Sequence, residues 1–236
     1  MTDSFRALTG ADAEGFNTCT PESVFVTGTD TGIGKTLVSA ILVRAWKATY
    51  WKPYQTGLSD EAGDGPEVKV LSGCAEEDIL PPAALLQAPL SPLAAAQREN
   101  RTLHPLALEL PRARQPLVVE GAGGLMVPIA PGCLMIDLIA HLKLPVVLVA
   151  RGGLGTLNHT LLSLEALHHR GLPLKGIVYS ANSPAQKENR HLVETFSQQL
   201  AAPCLFTLPD LDSITPRTVQ VFAEALSRRS PPTRAL

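Results

Sequence analysis

The sequence predicts an α/β protein whose mostly parallel sheet carries helices on both faces. Short, mostly apolar runs recur along the chain at 24–27, 117–120, 145–150, 176–180 and 203–208. Strands that are buried on both faces of a sheet give such runs, whereas half-exposed strands alternate apolar and polar residues. Helical patterns separate several of the runs, and helices are the usual crossovers between parallel strands. A glycine-rich turn joins the first run directly to the first helical pattern.

The length of the chain fits one domain with a full hydrophobic core. The chain has 236 residues, of which 45% are hydrophobic, and chains of this size bury most of their apolar surface. We expect the domain to span 23–227, with a flexible extension at 1–22 and a flexible tail at 228–236. The extension mixes acids, glycine and threonine and lacks the apolar core of a signal peptide.

The composition argues against several classes of function. A net charge of −2 gives no support for nucleic acid or an anionic membrane as partner. No apolar stretch approaches the ~20 residues that span a bilayer. The four cysteines lie far apart, without a CxxC pair, so we expect neither a zinc site nor a disulfide framework. A reducing compartment fits this pattern, and we expect a cytoplasmic protein.

The segment Gly28-Thr-Asp-Thr-Gly-Ile-Gly-Lys-Thr36 lies between the first predicted strand and an apolar-periodic helix. Backbone N–H groups of such a loop, together with the positive end of the helix, bind phosphate. Lys35 would reach the β- and γ-phosphates, and the hydroxyl of Thr36 would bind Mg²⁺. Five residues separate Gly28 from Gly34, one more than in the usual phosphate loop. A plain turn is the alternative, but the lysine and threonine favour a nucleoside triphosphate site on a P-loop NTPase-like fold.

A second unusual segment is Lys52-Pro-Tyr-Gln-Thr-Gly57. Pro53 disfavours helical backbone at Lys52, so the lysine side chain would extend from the end of a strand. A second lysine near the phosphates could stabilise charge on a transferring phosphoryl group. The alternative is a solvated surface lysine, which is the commoner role of a lysine before proline.

Glu120 ends the run 117–120 and is followed by Gly121-Ala-Gly-Gly124. A carboxylate at the tip of a buried strand beside a phosphate loop can hold Mg²⁺ or one of its waters. The alternative is a solvated or helix-capping acid. The glycines beside it indicate close approach of a ligand. Together with Thr36, one of four further acids would complete the oxygen ligands: Asp60, Glu61, Asp64 and Glu67.

A third glycine-rich segment, 152–160, follows the run 145–150 and opens a helix. Such helix starts bind anions, and the side chain of Asn158 can both donate and accept hydrogen bonds. The alternative is an ordinary helix start that is capped by Thr156 or Asn158. The residues alone do not decide between the two.

Four segments, in the same order, resemble those of the dethiobiotin synthetase family: 28–36, 52–57, 120–124 and 154–159. The resemblance runs from about Val24 to about Leu226, and the phosphate loop with one extra residue is that family's own form. It implies an ATP-dependent ligase of biotin biosynthesis with Mg²⁺ as cofactor. It also implies a homodimer with active sites at the subunit interface.

The resemblance implies that ATP, CO₂ and 7,8-diaminononanoate give dethiobiotin, ADP and phosphate. One amine of the substrate takes up CO₂ as a carbamate, the carbamate receives the γ-phosphoryl group, and the second amine closes the ureido ring. Carbamate and triphosphate are both anionic, so their contact requires cations. Positioning and charge neutralisation supply most of the catalysis in such a transfer. Lys35 and Lys52 look like the catalytic lysines.

The resemblance also implies binding roles for individual residues. Nucleotide contacts fall on Thr31, Gly32, Ile33, Gly34, Lys35, Thr36, Leu37, Asp64, Glu120, Gly121, Ala122, Gly123, Ser180, Pro209, Asp210 and Leu211. The Mg²⁺ ligands look like Thr36, Asp64 and Glu120, with Glu67 as the alternative to Asp64. Substrate contacts fall on Thr56, Gly155, Thr156 and Asn158, of which the last three come from the partner subunit.

One position departs from the family pattern. The family usually has Asn at the end of the strand 176–180, where it reads the nucleotide base. This chain has Ser180 there, with Asn182 just beyond. We therefore expect a weaker preference for adenine.

Two other classes of protein compete with this assignment. ParA/MinD-like regulatory ATPases carry an extra lysine early in the loop, where this chain has Asp30. They also often end in a basic amphipathic helix, whereas the tail here contains two prolines. Amidotransferases of the cobyrinate-amidation type need an added glutaminase domain, for which we expect no room in 236 residues. A catalytically silent descendant is disfavoured because both lysines are retained.

Overall fold

A computed structural model describes residues 20–113, 115–180, 185–197, 203–209, 211 and 213–229. At its centre lies a seven-stranded sheet in which every neighbouring pair of strands is parallel. This arrangement confirms the predicted α/β class. Two small sheets of two strands each accompany the central sheet.

The strands, in chain order, are β1 (Val24–Gly28), β2 (Thr49–Trp51), β3 (Tyr54–Gln55), β4 (Ile79–Leu80), β5 (Ala84–Leu85), β6 (Leu117–Gly124), β7 (Pro128–Ala130), β8 (Cys133–Leu134), β9 (Val146–Arg151), β10 (Leu174–Ser180) and β11 (Cys204–Leu208). The central sheet has the spatial order β11-β10-β9-β1-β6-β2-β4, and the small sheets pair β3 with β5 and β7 with β8. All five predicted runs lie on central strands. Strands β2 and β4, which have only three and two residues, gave no apolar run, and β2 was indicated only by the strand end expected at Lys52.

The helices of the described ranges are α1 (Lys35–Trp46), α2 (Asp64–Ser72), α3 (Pro92–Arg98), α4 (Met135–Leu142), α5 (Thr156–His169), α6 (Ala185–Phe196) and α7 (Pro216–Arg229). Helix α7 continues to Arg229, two residues past the predicted end of the domain at residue 227. Residues 1–19 and 230–236 lie outside the described residues. Among the described helices, none is long and apolar enough to cross a membrane.

Hydrophobic residues pack on both faces of the central sheet. On one face, Val24 and Val26 of β1 pack with α1, α2 and α7, where Ile41 and Phe222 belong to the same cluster. On the other face, Phe25 packs with α4 and α5. Successive side chains of a strand point to opposite faces, so alternate residues of β1 join the two cores. The helices therefore cover both faces, as predicted.

Strand β1 lies at the point where the order of successive strands across the sheet reverses. From β1 the chain continues through α1 to β2 on one side, and from β6 it crosses to β9 on the other side. Gly28 at the end of β1 lies in register with Gly124 of β6 and with Val149 of β9. In open α/β sheets, ligands bind at such a reversal, outside the carboxyl ends of the strands. The loops that follow β1, β6 and β9 therefore frame the candidate site.

Candidate active site

The predicted phosphate loop connects β1 to α1 and has the backbone of an anion cradle. Gly32 and Gly34 have φ values of +68° and +93°, which favour glycine. Gly34 occupies the N-cap position of α1, and no side chain caps the helix. The first N–H groups of α1 are therefore available for a negatively charged ligand.

Lys35 lies over this loop and is largely buried. Its side chain is 7% exposed, and its Nζ donates to the carbonyl oxygen of Asp30 at 3.0 Å. Burial is the main reason why the pKa of Lys35 is lowered; the charge of Glu120 opposes this effect and that of Lys52 adds to it. Arg151 at the end of β9 approaches the Asp30 carboxylate at 3.4 Å. The loop thus holds two cationic side chains close to the cradle.

The residues predicted as Mg²⁺ ligands lie together around Glu120, which is the fourth residue of β6 and not, as predicted, the tip of the strand. Thr36 Oγ1 is 3.2 Å from Asp64 Oδ1 and 3.2 Å from Glu120 Oε1. A hydroxyl has one hydrogen, so Thr36 can donate to only one of these oxygens at a time. Glu120 is 1% exposed. We call these three residues, together with Lys52, the carboxylate cluster.

Lys52 is the cation of the carboxylate cluster. It directly follows β2, as the sequence predicted, and is 8% exposed. Its Nζ forms an ion pair with Asp64 and lies 3.4 Å from Glu120 Oε1. The alternative of a solvated surface lysine is therefore wrong.

Asp64 occupies the position in the cluster for which Glu67 was the alternative. Asp64 is the first residue of α2, and its N–H donates to Gln55 Oε1 at 3.0 Å. Gln55 Nε2 in turn donates to the carbonyl of Thr56 at 2.8 Å, which links the predicted substrate residue to the start of α2. Glu67 is exposed on the same helix and makes no hydrogen bond to Thr36 within the described part of the chain. The protein around Glu67 partly shields its carboxyl group from water, and this desolvation raises its pKa. The charges of Glu120 and Glu61 raise the pKa further.

The carboxylate cluster fits a hard divalent cation. Two carboxylates and one hydroxyl converge, and the ammonium of Lys52 already contacts both carboxylates. Mg²⁺ is typically held by one or two carboxylates together with substrate phosphates and waters. The described residues contain no group of three or more His, Cys, Asp or Glu side chains that could hold a metal alone. A Mg²⁺ ion at this position would complete its coordination with waters or phosphate oxygens.

Two residues of the site were missed by the sequence analysis. Ser39 of α1 donates to Glu120 Oε2 at 2.7 Å, and Tyr50 of β2 donates to the same oxygen at 3.0 Å. Burial, and secondly the charge of Glu120, raises the pKa of Tyr50 well above its usual value. The helical periodicity could have indicated Ser39, which follows Thr36 by almost one turn, whereas Tyr50 lies in a strand too short to show a pattern.

The glycines after Glu120 serve mainly to bring strands together. A Cβ at Gly121 would lie 2.8 Å from the ring of Phe25, and a Cβ at Gly124 would lie 2.9 Å from the carbonyl oxygen of Gly28. At these two positions other parts of the protein approach closely, and the approach of a ligand stays a prediction. Gly123 has φ +71°, and a Cβ there would lie 3.6 Å from Thr31 Oγ1 of the phosphate loop. This end of β6 therefore packs closely against the loop.

The glycine-rich segment after β9 starts α5 with a glycine at the N-cap position and without a capping side chain. Gly155, with φ +90°, occupies the N-cap position, and no side chain caps the helix, so the alternative of a Thr156 or Asn158 cap is wrong. Thr156 is 1% exposed, and its hydroxyl lies 3.3 Å from that of Thr160. Asn158 is exposed. Within the chain as described, these residues make no hydrogen bond to the carboxylate cluster.

The predicted base-reading residues lie beside the phosphate loop. Ser180 ends β10 and pairs in register with Leu208 of β11, so Pro209 follows next to it. A Cβ at Gly34 would lie 3.3 Å from Ser180 Oγ. Leu211 packs against the core that contains α1 and α7. Asp210 and Asn182 lie outside the described residues.

Comparison with known proteins identifies the family. Residues 22–218 match the model of a family described as an AAA domain. The ATP-dependent dethiobiotin synthetase BioD of Paramagnetospirillum magneticum is 48% identical over 196 residues, which cover 83% of this chain and 92% of that protein. The chain belongs to the dethiobiotin synthetase family.

Further relatives carry related names. The dethiobiotin synthetase BioD of Agrobacterium fabrum is 44% identical over 200 residues, which cover 84% of this chain and 92% of that protein. The biotin biosynthesis bifunctional protein BioCD of Bordetella avium is 53% identical over 206 residues, or 87% of this chain, and the match spans 43% of that protein. Among solved structures, a ParA family ATPase from Chlorobium tepidum TLS has a TM-score of 0.48 and 12% identity, with 89% of this chain and 96% of that chain covered. The two dethiobiotin synthetases are 48% and 44% identical to this chain, whereas the ParA family ATPase is 12% identical.

Proposed function

We propose that the protein converts 7,8-diaminononanoate, CO₂ and ATP into dethiobiotin, ADP and phosphate. Membership of the dethiobiotin synthetase family supports this reaction. The observation that carries it for this chain is the position of Lys52, which is buried between two carboxylates at the carboxyl end of the sheet. A lysine in this place can meet both a phosphoryl group and an anionic acceptor.

The chain's own residues account for the chemistry of such a transfer. One amine of the substrate attacks CO₂ and loses a proton, which gives a carbamate. A carbamate oxygen then takes the γ-phosphoryl group and ADP leaves; the second amine attacks the carbonyl carbon and expels phosphate. Lys35 would bind the β- and γ-phosphates, and Lys52 would offset the charge between phosphate and carbamate. These fixed cations lower the barrier because they need no reorganisation during the transfer.

Thr36, Asp64 and Glu120 would hold the Mg²⁺. When bound, Mg²⁺ supplies positive charge that neutralises the triphosphate and the charge developing during transfer. The hydroxyl and the two carboxylates are the oxygen donors that this ion prefers. The remaining nucleotide contacts would come from the phosphate loop, from the end of β6, and from Ser180 and the segment 209–211.

The substrate would be held by residues of two subunits in a homodimer. Thr56 follows Gln55, which positions Asp64, so its hydroxyl lies on the same loop system as the carboxylate cluster. Asn158 is exposed, and Leu154 beside Gly155 is fully exposed. A partner subunit that covers this segment would bring Gly155, Thr156 and Asn158 to the substrate carboxylate. The cytoplasmic location expected from the sequence belongs to the same proposal.

Phosphate release tests this function directly. Release from Mg-ATP would be measured with bicarbonate, in the presence and absence of 7,8-diaminononanoate. Release that requires both the diamine and CO₂ is expected. Slow release that is indifferent to the diamine would contradict the proposal and favour a regulatory ATPase of the ParA/MinD type.

A further inference from the structure

The buried end of Glu120 shows how its carboxylate is divided between two roles. Oε2 accepts hydrogen bonds from Ser39 at 2.7 Å and from Tyr50 at 3.0 Å. Oε1 instead lies 3.2 Å from Thr36 Oγ1 and 3.4 Å from Lys52 Nζ. One oxygen therefore faces the interior of the protein, and the other faces the carboxylate cluster.

We propose that Tyr50 and Ser39 are positioning residues that fix the Glu120 carboxylate and thereby set the affinity of the site for its divalent cation. Neither residue belongs to the predicted site. The inference rests on the proposed function, because it takes the carboxylate cluster as the place where Mg²⁺ binds with the nucleotide.

The two donors are themselves held rigidly. Ser39 is fully buried on α1, and Tyr50 is 1% exposed on β2. Strand β2 is hydrogen-bonded to β6, with Tyr50 in register with Val118, two residues before Glu120. Rotation of the Glu120 carboxylate would break both hydrogen bonds at once. Donors on two packed elements therefore restrict Oε1 to one direction.

The chemical type of the donors also matters. A carboxylate that is 1% exposed is costly unless its oxygens are hydrogen-bonded. An arginine or lysine at Oε2 would satisfy this requirement but would cancel the negative charge. Hydroxyl groups satisfy Oε2 without adding a second positive charge to that of Lys52 at Oε1, so Glu120 keeps more of its negative charge for a bound cation. This is the arrangement expected of a residue that supports a metal ligand.

The test is the effect of Mg²⁺ on the binding of a non-hydrolysable ATP analogue, measured by calorimetry with Mg²⁺ and with EDTA. The ratio of the two dissociation constants measures the coupling between metal and nucleotide. Tyr50→Phe is expected to reduce this ratio about 10- to 100-fold, with the affinity in EDTA unchanged. Ser39→Ala, which keeps a good helix former on α1, is expected to reduce the ratio in the same direction.

Tyr179→Phe is the matched control. Tyr179 is also a buried tyrosine, at 1% exposure, but its hydroxyl has no hydrogen-bond partner among the described residues. Wild-type coupling in Tyr50→Phe and Ser39→Ala would overturn the inference while leaving the proposed function intact. Equal losses in Tyr50→Phe and Tyr179→Phe would overturn it as well, since they would indicate a general effect on packing. If the wild-type protein bound the ATP analogue equally well with Mg²⁺ and with EDTA, the metal site itself would be contradicted.

Discussion

At the scale of single residues, the burial of Lys52 decides what its removal should do. The side chain is 10% exposed and contacts two carboxylates, of which its single positive charge can offset one. We expect Lys52→Ala to lower turnover by about 10³-fold or more, because a fixed cation at the transferring group is lost. We also expect a loss of about 3–5 kcal/mol in the free energy of unfolding, because buried carboxylates lose their partner.

Steady-state turnover and chemical denaturation would check both effects. Lys69→Ala is the control, since Lys69 pairs with Glu76 at the surface and surface ion pairs contribute little to stability. A Lys52→Ala variant that kept most of its turnover would remove Lys52 from the mechanism.

Ser180 gives a second prediction at this scale. Its hydroxyl lies beside Gly34 at the start of α1, where an amide side chain could reach a nucleotide base. We expect Ser180→Asn to raise the ratio of kcat/KM for ATP over that for CTP, because an amide can both donate and accept hydrogen bonds. Ser227→Asn on α7 is the control. An unchanged ratio in Ser180→Asn would indicate that this position does not read the base.

The sequence predicted the charged residues of the site better than their partners. Lys35, Thr36 and Lys52 directly follow a strand or the phosphate loop at one edge of a parallel sheet, so their convergence could be expected. Glu120 lies inside β6, which continues to Gly124. Tyr50 was missed because a tyrosine in a three-residue buried strand has no distinctive pattern, and its contact depends on how β2 packs beside β6.

At the scale of elements, the turn into α1 sets the geometry of the phosphate cradle. Gly34 has φ +93°, and a Cβ there would lie 3.3 Å from Ser180 Oγ. We expect Gly34→Ala to cost about 1–2 kcal/mol of stability from backbone strain and to weaken ATP binding by roughly tenfold or more, which corresponds to about 1.4 kcal/mol.

Gly171→Ala provides the comparison for this turn. Gly171 has φ +61° and nothing within 4 Å of an added Cβ, so it should show the strain without the effect on ATP. Thermal unfolding and calorimetric titration with ATP would separate the two. Equal ATP affinity in both variants would contradict a binding role for the backbone of this turn.

Elements were predictable where burial leaves a clear pattern. The five longer strands of the central sheet are buried on both faces, and their apolar runs marked them. Strands β2 and β4 are too short to give a run. The sequence indicated a close approach at glycines 121 and 124, but it could not show that Phe25 and Gly28 lie against them.

At the scale of the whole molecule, a shared active site predicts complementation between inactive variants. Lys52→Ala and Asn158→Ala would each be inactive, but a mixed dimer would contain one site with both residues intact. Random exchange makes about half of the dimers mixed, so we expect about a quarter of wild-type activity after the two are mixed. Sedimentation would confirm the dimer.

The control is a pair of variants whose changed residues belong to the same subunit's part of one active site. Lys52 and Asp64 belong to the same cluster, so mixing Lys52→Ala with Asp64→Ala should restore no activity. Recovery in neither mixture would argue that each subunit has a complete site.

The proposed reaction is tested most directly by following the carbon of labelled bicarbonate into the product. The protein would be incubated with ¹³C-bicarbonate, Mg-ATP and 7,8-diaminononanoate, and the product would be analysed by mass spectrometry. We expect dethiobiotin with the label at its ureido carbon, formed in proportion to the ADP released, and none with Lys52→Ala. ADP release without labelled dethiobiotin would contradict the proposed reaction.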